Sequence, residues 1–164
     1  MLPAYLPNPV AALFGGGTPI DRGRNWRDGR RILGNGKTYR GLAAGIIAGI
    51  LVGLFQIMLA PNGWGLPVQT VSSVLLLAVG ALAGDLVKSF AKRRTGRDQG
   101  ESWLGFDQYD FVAGSFIFLL IGDPAWFFTW VTLPVFITIL ILSPLLHRAV
   151  NIIGYLAGIK KVPW

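Results

Sequence analysis

The chain of 164 residues contains no cysteine and a single histidine, His147. Disulfides, thiolate nucleophiles and cysteine metal sites are therefore excluded, and one imidazole alone cannot build a histidine-cluster metal centre. Charge is scarce as well: Asp, Glu, Lys and Arg make up 14% of the residues, whereas a soluble domain carries roughly 25%. With so few charges, most of the surface must face a solvent other than water, and lipid is the obvious one. The start of the chain lacks the basic-then-apolar order of a cleavable signal peptide. No internal repeat and no low-complexity linker interrupts it. What is abundant points the same way, since hydrophobic residues reach 52% and glycine occupies 22 positions. Small residues let membrane helices approach closely.

Uncharged runs mark the candidate spans. Residues 41–59 are free of charge and about long enough to cross a hydrocarbon core. Residues 68–84 are equally apolar, and their helix can continue through 85–94. Residues 111–122 form a short apolar run that needs Tyr109 and Asp110 near its end to cross. Residues 124–146 form a longer run with Pro134 and Pro144 as expected kinks. Its cluster of Trp126, Phe127, Phe128 and Trp130 suits an interfacial belt. Residues 1–14 are apolar but interrupted by Pro3, Pro7 and Pro9. A helix of that length reaches only about 21 Å, so a short or broken span, or an irregular segment lining a cavity, is expected there. Residues 149–159 either prolong the last helix or lie in the interface. The fold expected is an all-α integral membrane protein, a single domain over residues 1–164, with about five transmembrane helices and two cytoplasmic functional loops.

The formal net charge is +7, which on a soluble protein would suggest a nucleic-acid partner. Its placement argues otherwise. Residues 15–40 hold seven of the 15 Lys and Arg, residues 85–97 hold five, and Arg148, Lys160 and Lys161 complete the set. The connections 60–67 and 122–125 hold none. The positive-inside rule then puts both basic loops and the C-terminus in the cytoplasm and the N-terminus outside, in a multi-pass protein of the cell membrane. No nucleic acid is expected as a partner.

Ionisable groups close to a span usually have a task, and three clusters lie at these cytoplasmic ends. The first contains Gly15-Gly16-Gly17-Thr18-Pro19-Ile20-Asp21 and Gly34-Asn35-Gly36-Lys37-Thr38-Tyr39-Arg40-Gly41. Glycine beside Lys37 and Thr38 at a helix start can offer N–H groups and an ammonium to phosphate oxygens. It is not a P-loop, because Arg31 stands where that motif needs its first glycine. A flexible loop whose charges merely hold topology is the competing reading. In the second cluster, Gly84-Asp85-Leu86-Val87-Lys88-Ser89-Phe90-Ala91-Lys92-Arg93-Arg94, helical spacing puts Asp85, Ser89 and Lys92 on one face. An acid, a hydroxyl and an ammonium so aligned suit a metal–phosphate site. The plainer alternative is an Asp85–Lys88 pair followed by a basic anchor for headgroups. In the third, Phe106-Asp107-Gln108-Tyr109-Asp110-Phe111, two carboxylates stand one helical turn apart and repel unless a cation lies between them. Mg²⁺ takes one or two carboxylates plus substrate phosphates, and Asp85 can join the pair. The alternative here is two acids capping a helix N-terminus.

With Pro7-Asn8-Pro9, these segments in this order resemble the archaeal CDP-archaeol synthases, membrane CTP:lipid-phosphate cytidylyltransferases, over nearly the whole chain. The last two segments are also similar to the signature of bacterial phosphatidate cytidylyltransferases. The resemblance implies an Mg²⁺-dependent enzyme that transfers CMP from CTP to an unsaturated archaeal diether glycerol phosphate, giving a CDP-activated lipid and pyrophosphate. It implies Asp85, Asp107 and Asp110 as metal ligands and, with Lys92, as the catalytic set. Lys37, Lys92 and Arg93 would clamp phosphates, with Arg94 nearer the lipid headgroup. Thr38 and Ser89 would donate hydroxyl hydrogen bonds, and Asn8, Gly16, Gly17 and Asp21 would serve the nucleotide side. Two other functions stay in view: the same chemistry on a diacyl lipid, and a small transporter. The spans lack ionisable residues at mid-depth, which weighs against translocation.

Overall fold

The structure is a computed structural model that describes residues 1–59, 67–98, 101, 103, 105–158 and 162. Lys160, Lys161 and residues 60–66 of an expected outer connection lie outside the described residues. Among the described residues seven helices follow one another: α1 Leu2–Tyr5, α2 Pro7–Leu13, α3 Tyr39–Leu59, α4 Val71–Arg94, α5 Phe106–Gly122, α6 Pro124–Trp130 and α7 Leu133–Leu156. Among the described residues there is no strand beyond two isolated bridges, Pro19 with Thr38 and Asn25 with Arg31. The all-α membrane architecture holds. Three helices, α3, α4 and α7, are long and apolar enough to cross a bilayer. The 17-residue α5 is about 26 Å long.

The N-terminal segment is a broken helix. Pro7 opens α2 directly after Leu6, because a proline ring has no N–H to give and fits the first helical turn. Pro3 and Pro7 are fully buried. The reason lies in α3, whose only buried residues are Gly41, Gly45, Gly49 and Gly53. At four-residue spacing these form one stripe, and the backbone of α1–α2 lies in it. A Cβ at Gly41 would stand 2.7 Å from the Ala11 carbonyl, and one at Gly45 2.6 Å from that of Pro7.

Glycine also joins α4 to α5. A Cβ at Gly80 would come within 2.7 Å of the Gly114 carbonyl, and one at Gly84 would run into the carbonyl of Asp110. Ser115 Oγ adds a bond to the Leu77 carbonyl at 3.0 Å. The two backbones therefore touch, and the residues one turn beyond Gly84 on α4 are forced against the start of α5. A reciprocal box starts α4: Thr70 Oγ1 accepts from Ser73 N, while Ser73 Oγ accepts from Thr70 N. The helix then runs unbroken to Arg94, as the sequence allows.

Two expectations change. The run 124–146 is not one kinked span, because the chain breaks between Trp130 and Leu133. Pro134 stands in the first turn of α7, where its ring would clash with the Trp130 carbonyl in a continuous helix. The kink expected at Pro134 is thus a helix start, whereas Pro144 does lie inside α7. The aromatic cluster is also more than a belt. Trp126 is buried, its Nε1 donates to the Val68 carbonyl at 2.8 Å, and Phe127 packs edge-on against Phe116.

α7 continues to Leu156 and is held by polar links more than by packing. Pro144 leaves the Leu140 carbonyl without its helical donor, and Tyr109 Oη donates to it at 2.8 Å. Tyr5 Oη lies 2.8 Å from Ser143 Oγ. Ile141, Leu145, Ile153 and Leu156 stay exposed, as a lipid-facing helix requires.

Candidate active site

The segment between α2 and α3 folds around Asp21. Its carboxylate accepts from the N–H groups of Gly23, Leu33 and Gly34 at 3.1, 3.0 and 2.9 Å, and from Arg31 at 2.6 and 3.2 Å. Burial alone would raise the pKa of this acid, but the Arg31 guanidinium and the three N–H groups outweigh that and hold it well below the usual range. Arg94 ties the loop to α4, donating to Asp28 Oδ1 at 2.6 Å and to the Arg31 carbonyl at 2.6 Å. Trp26 rests edge-on against Phe90 of α4. Thr38 caps α3, its Oγ1 accepting from Gly41 N at 3.1 Å. Lys37 is thereby carried across to α4, where its ammonium donates to Asp85 Oδ2.

Beyond Gly84, α4 and α5 present their charged residues to each other. Lys88 Nζ stands 3.2 Å from Asp85 Oδ1, 3.3 Å from Asp107 Oδ1 and 2.7 Å from Asp110 Oδ2. Lys92 Nζ lies 2.7 Å from Asp107 Oδ1 and donates to the Glu101 carbonyl at 2.7 Å. Asp107 Oδ2 accepts from Trp103 N at 2.6 Å, which orients that carboxylate at the start of α5. Three carboxylates and three ammonium groups thus form one network, formally neutral. The cation between the like-charged pair on α5 is the ammonium of Lys88. The Asp85–Lys88 pair that the spacing allowed is present, and it is only one arm of the network.

Asp107 Oδ1 and both oxygens of Asp110 are shut off from solvent, and the charges they meet are ammonium groups, Lys92 at 2.7 Å from Asp107 and Lys88 at 2.7 Å from Asp110. Beside them opens a cavity of about 680 Å³. Lys37, Thr38, Asp85, Ser89, Lys92 and Arg93 line it, as do Asp107, Asp110 and Asn8. Asn8 Oδ1 and Arg93 Nε are buried polar atoms without a hydrogen bond. Thr38 and Ser89 are buried at the wall. Nine of the residues singled out in the sequence therefore share one space.

Four others do not line it. Gly16 and Gly17 lie exposed in the loop at positive φ, 102° and 74°, a conformation that favours glycine. Asp21 is spent on folding the loop, and Arg94 on fastening it to α4. Lys88 was not among the candidate site residues. The available signal was its position three residues after Asp85, but its meeting with α5 depends on the register of two helices.

The donor set suits a hard divalent cation of the Mg²⁺ type. It offers buried carboxylate oxygens, two of them on Asp110 and one on Asp107, whose resting partners include exchangeable ammonium groups. Among the described residues no three Asp, Glu or His side chains stand close enough to hold a metal by themselves. The fit is therefore to one or two carboxylates completed by substrate phosphates.

Comparison with known proteins gives one consistent result. The family model described as CDP-archaeol synthase, CarS-like, matches residues 1–164. The CDP-archaeol synthase of Methanoregula boonei is 63% identical over the full length of both chains, and that of Methanosarcina barkeri 50% identical over the full length of both. A solved structure described as an intramembrane enzyme for archaeal membrane lipids biosynthesis superposes with a TM-score of 0.70 at 34% identity, covering 98% of this chain and 90% of the other.

Proposed function

This chain belongs to the CDP-archaeol synthase family, and we propose that its cavity joins CTP to a diether glycerol phosphate with Mg²⁺ at the cytoplasmic face of the membrane. It is a multi-pass membrane cytidylyltransferase of archaeal lipid synthesis, so its substrates are a nucleotide and a lipid. The observation that carries the finer reading is the convergence of Asp85, Asp107 and Asp110 with three lysines on one cavity.

The chemistry follows from charge. The lipid phosphate is already an anion at neutral pH, so no general base is needed. One of its oxygens forms a bond to the α-phosphorus of CTP while the bond from that phosphorus to the β-phosphate oxygen breaks, and pyrophosphate leaves. The obstacle is to hold two anions in line. The resting network suggests how these residues do it. Arriving phosphates take Lys37, Lys88 and Lys92 from their acids, and Asp85, Asp107 and Asp110 so released would be the residues to hold a divalent cation. Mg²⁺ bound there would neutralise phosphate oxygens and the leaving pyrophosphate. Arg93 adds a guanidinium at the rim, and Ser89 offers a hydroxyl at the wall. The exchange leaves each incoming phosphate facing a cation, which a low-dielectric site demands.

Placement of this face in the cytoplasm rests on the basic loops. The connection carrying Asp28 and Arg31 docks on the C-terminal end of α4, so both basic segments share one end of the bundle. The N-terminus outside, and the broken helix α1–α2 and α5 as the fourth and fifth spans, complete the proposed topology.

The test is transfer of label from CTP into lipid by the purified protein in detergent, with diether and diacyl glycerol phosphates side by side. Transfer to the diether lipid that stops when Mg²⁺ is chelated and resumes when it is restored is the expected result. A folded protein that labels no lipid phosphate under any of these conditions would overturn the reading.

A further inference from the structure

The cavity beside the charged network measures about 680 Å³, a size that encloses one small ligand. A nucleoside triphosphate alone is a ligand of that order, and the lipid phosphate adds two long apolar chains. Those chains must leave the cavity through one of its walls, and the wall they cross must be apolar. On the side of α3, α4 and α5 the lining carries lysines and aspartates, which hydrocarbon cannot solvate. The opposite side is largely apolar. Leu6, Val10 and Leu13 on α2 line it, with Leu146, Val150 and Ile153 on α7.

That side is a seam. α2 packs on α3 and α4, and α7 packs on α5, but α2 and α7 share at most marginal contact with each other. Two polar links hold α7 to the bundle, Tyr5 with Ser143 and Tyr109 with the Leu140 carbonyl. Both lie before Pro144, whereas the seam residues of α7 lie after it. Leu13, Leu146, Val150 and Ile153 are 52%, 37%, 39% and 64% exposed. They border the cavity on one side and the surroundings of the bundle on the other, so the cavity opens sideways between the two helices. The opening lies at the charged end of the molecule, because α2 leads into the basic connection 15–40 and Arg148 stands among the seam residues of α7.

We propose that the seam between α2 and the C-terminal half of α7 is the portal and groove for the isoprenoid chains of the acceptor lipid. This rests on the cytidylyltransferase reading and adds to it the place of the hydrocarbon. With the phosphate at the lysines of the charged wall, the two chains run out between α2 and α7 into the bilayer. Drawing them through water would cost free energy with every CH₂ group, and an opening toward lipid avoids that. Chains already in lipid gain little by moving onto an apolar helix. The seam therefore guides the lipid by its width, while the charged wall supplies the affinity.

The test narrows the seam in the full-length protein in detergent. Val10→Trp and Val150→Trp should lower kcat/KM for a di-geranylgeranyl glycerol phosphate about 10-fold or more. A glycerol phosphate with two short ether chains need not reach the seam, so its kcat/KM and the KM for CTP should stay close to the parent values. Leu145→Trp, at a position 62% exposed on the same helix and outside the cavity lining, should change neither. Equal losses on both lipids, or no loss on the long one, would overturn the assignment. A second readout is independent of turnover. The chain has no cysteine, so Val150→Cys places a single thiol in the seam and Leu145→Cys one outside it. The long-chain lipid phosphate should shield the first from a maleimide and leave the second reactive. Equal shielding by the same diether lipid without its phosphate would mean that bulk lipid fills the seam, which also overturns the assignment. A parent protein that transfers no label would instead sink the underlying reading, and the assignment with it.

Discussion

Two carboxylate assemblies sit at the same end of this molecule, and they are built in opposite ways. Asp21 accepts five hydrogen bonds, from three backbone N–H groups and both faces of the Arg31 fork. Nothing in it is left over, and it does not border the cavity. The assembly around Lys88 has three acids for three ammonium groups, is held mainly by side-chain charges and lines the cavity. An ion pair locked by backbone N–H groups away from the cavity is architecture. One held by flexible lysine side chains beside a cavity can exchange its partners for the charges of a ligand. Sequence alone makes both candidates for the site, Asp21 on the nucleotide side and the other three as metal ligands.

The largest effect that would break this comparison is on turnover. Asp110→Asn removes an acid that borders the cavity and pairs with Lys88, so CMP transfer should fall about 10³-fold or more, further than a melting temperature lowered by the lost pair accounts for. A variant that retained activity would make the Lys88 assembly as structural as that of Asp21. Asp21→Asn should do the reverse. Losing its charge weakens the pair with Arg31 and the three N–H contacts, which should lower the melting temperature in detergent, while kcat per folded molecule stays within a few-fold of the parent.

A smaller effect tests the device that brings the charged residues together. Gly84→Ala drives a methyl group into the Asp110 carbonyl, and the overpacking should cost about 1–3 kcal/mol. Because it pushes α5 away from Lys88, activity should fall further than stability does. Equal losses would mean that the network tolerates a shifted register. Smallest is the pH response of Asp21. Its folded pKa is depressed, so its contribution is complete above the unfolded value of roughly 4 and is lost as pH falls toward the folded value. The gap in melting temperature between the parent and Asp21→Asn should therefore narrow from about pH 6 to about pH 3. A gap that widened on acidification would reverse the assigned sign.

Much of the site could be read from residue order. Asp107 and Asp110 lie one turn apart on any helix, and Asp85, Ser89 and Lys92 share a face by the same periodicity. Those local rules hold wherever the helices go. Lys88 shows where they stop. Its three partners come from two helices, and the register between them is set by backbone contact at Gly80, Gly84 and Gly114, which periodicity does not specify. The roles of Asp21 and Arg94 were hidden for the same reason, since both bind residues that only the folded loop brings near. The break before α7 was readable in principle from Pro134, but a kink and a fresh helix start carry the same residue.

The amino-acid order by itself determined that this chain lives in lipid, where most of its long helices run, which end is basic and which acids share a turn. All of these depend on residue type and on distances along the chain. Tertiary structure alone decided which charges meet, which of them backbone groups lock in place and which border a cavity. Those depend on how closely two backbones approach, and here that approach is set by glycines whose missing side chains act only when a partner helix fills the space.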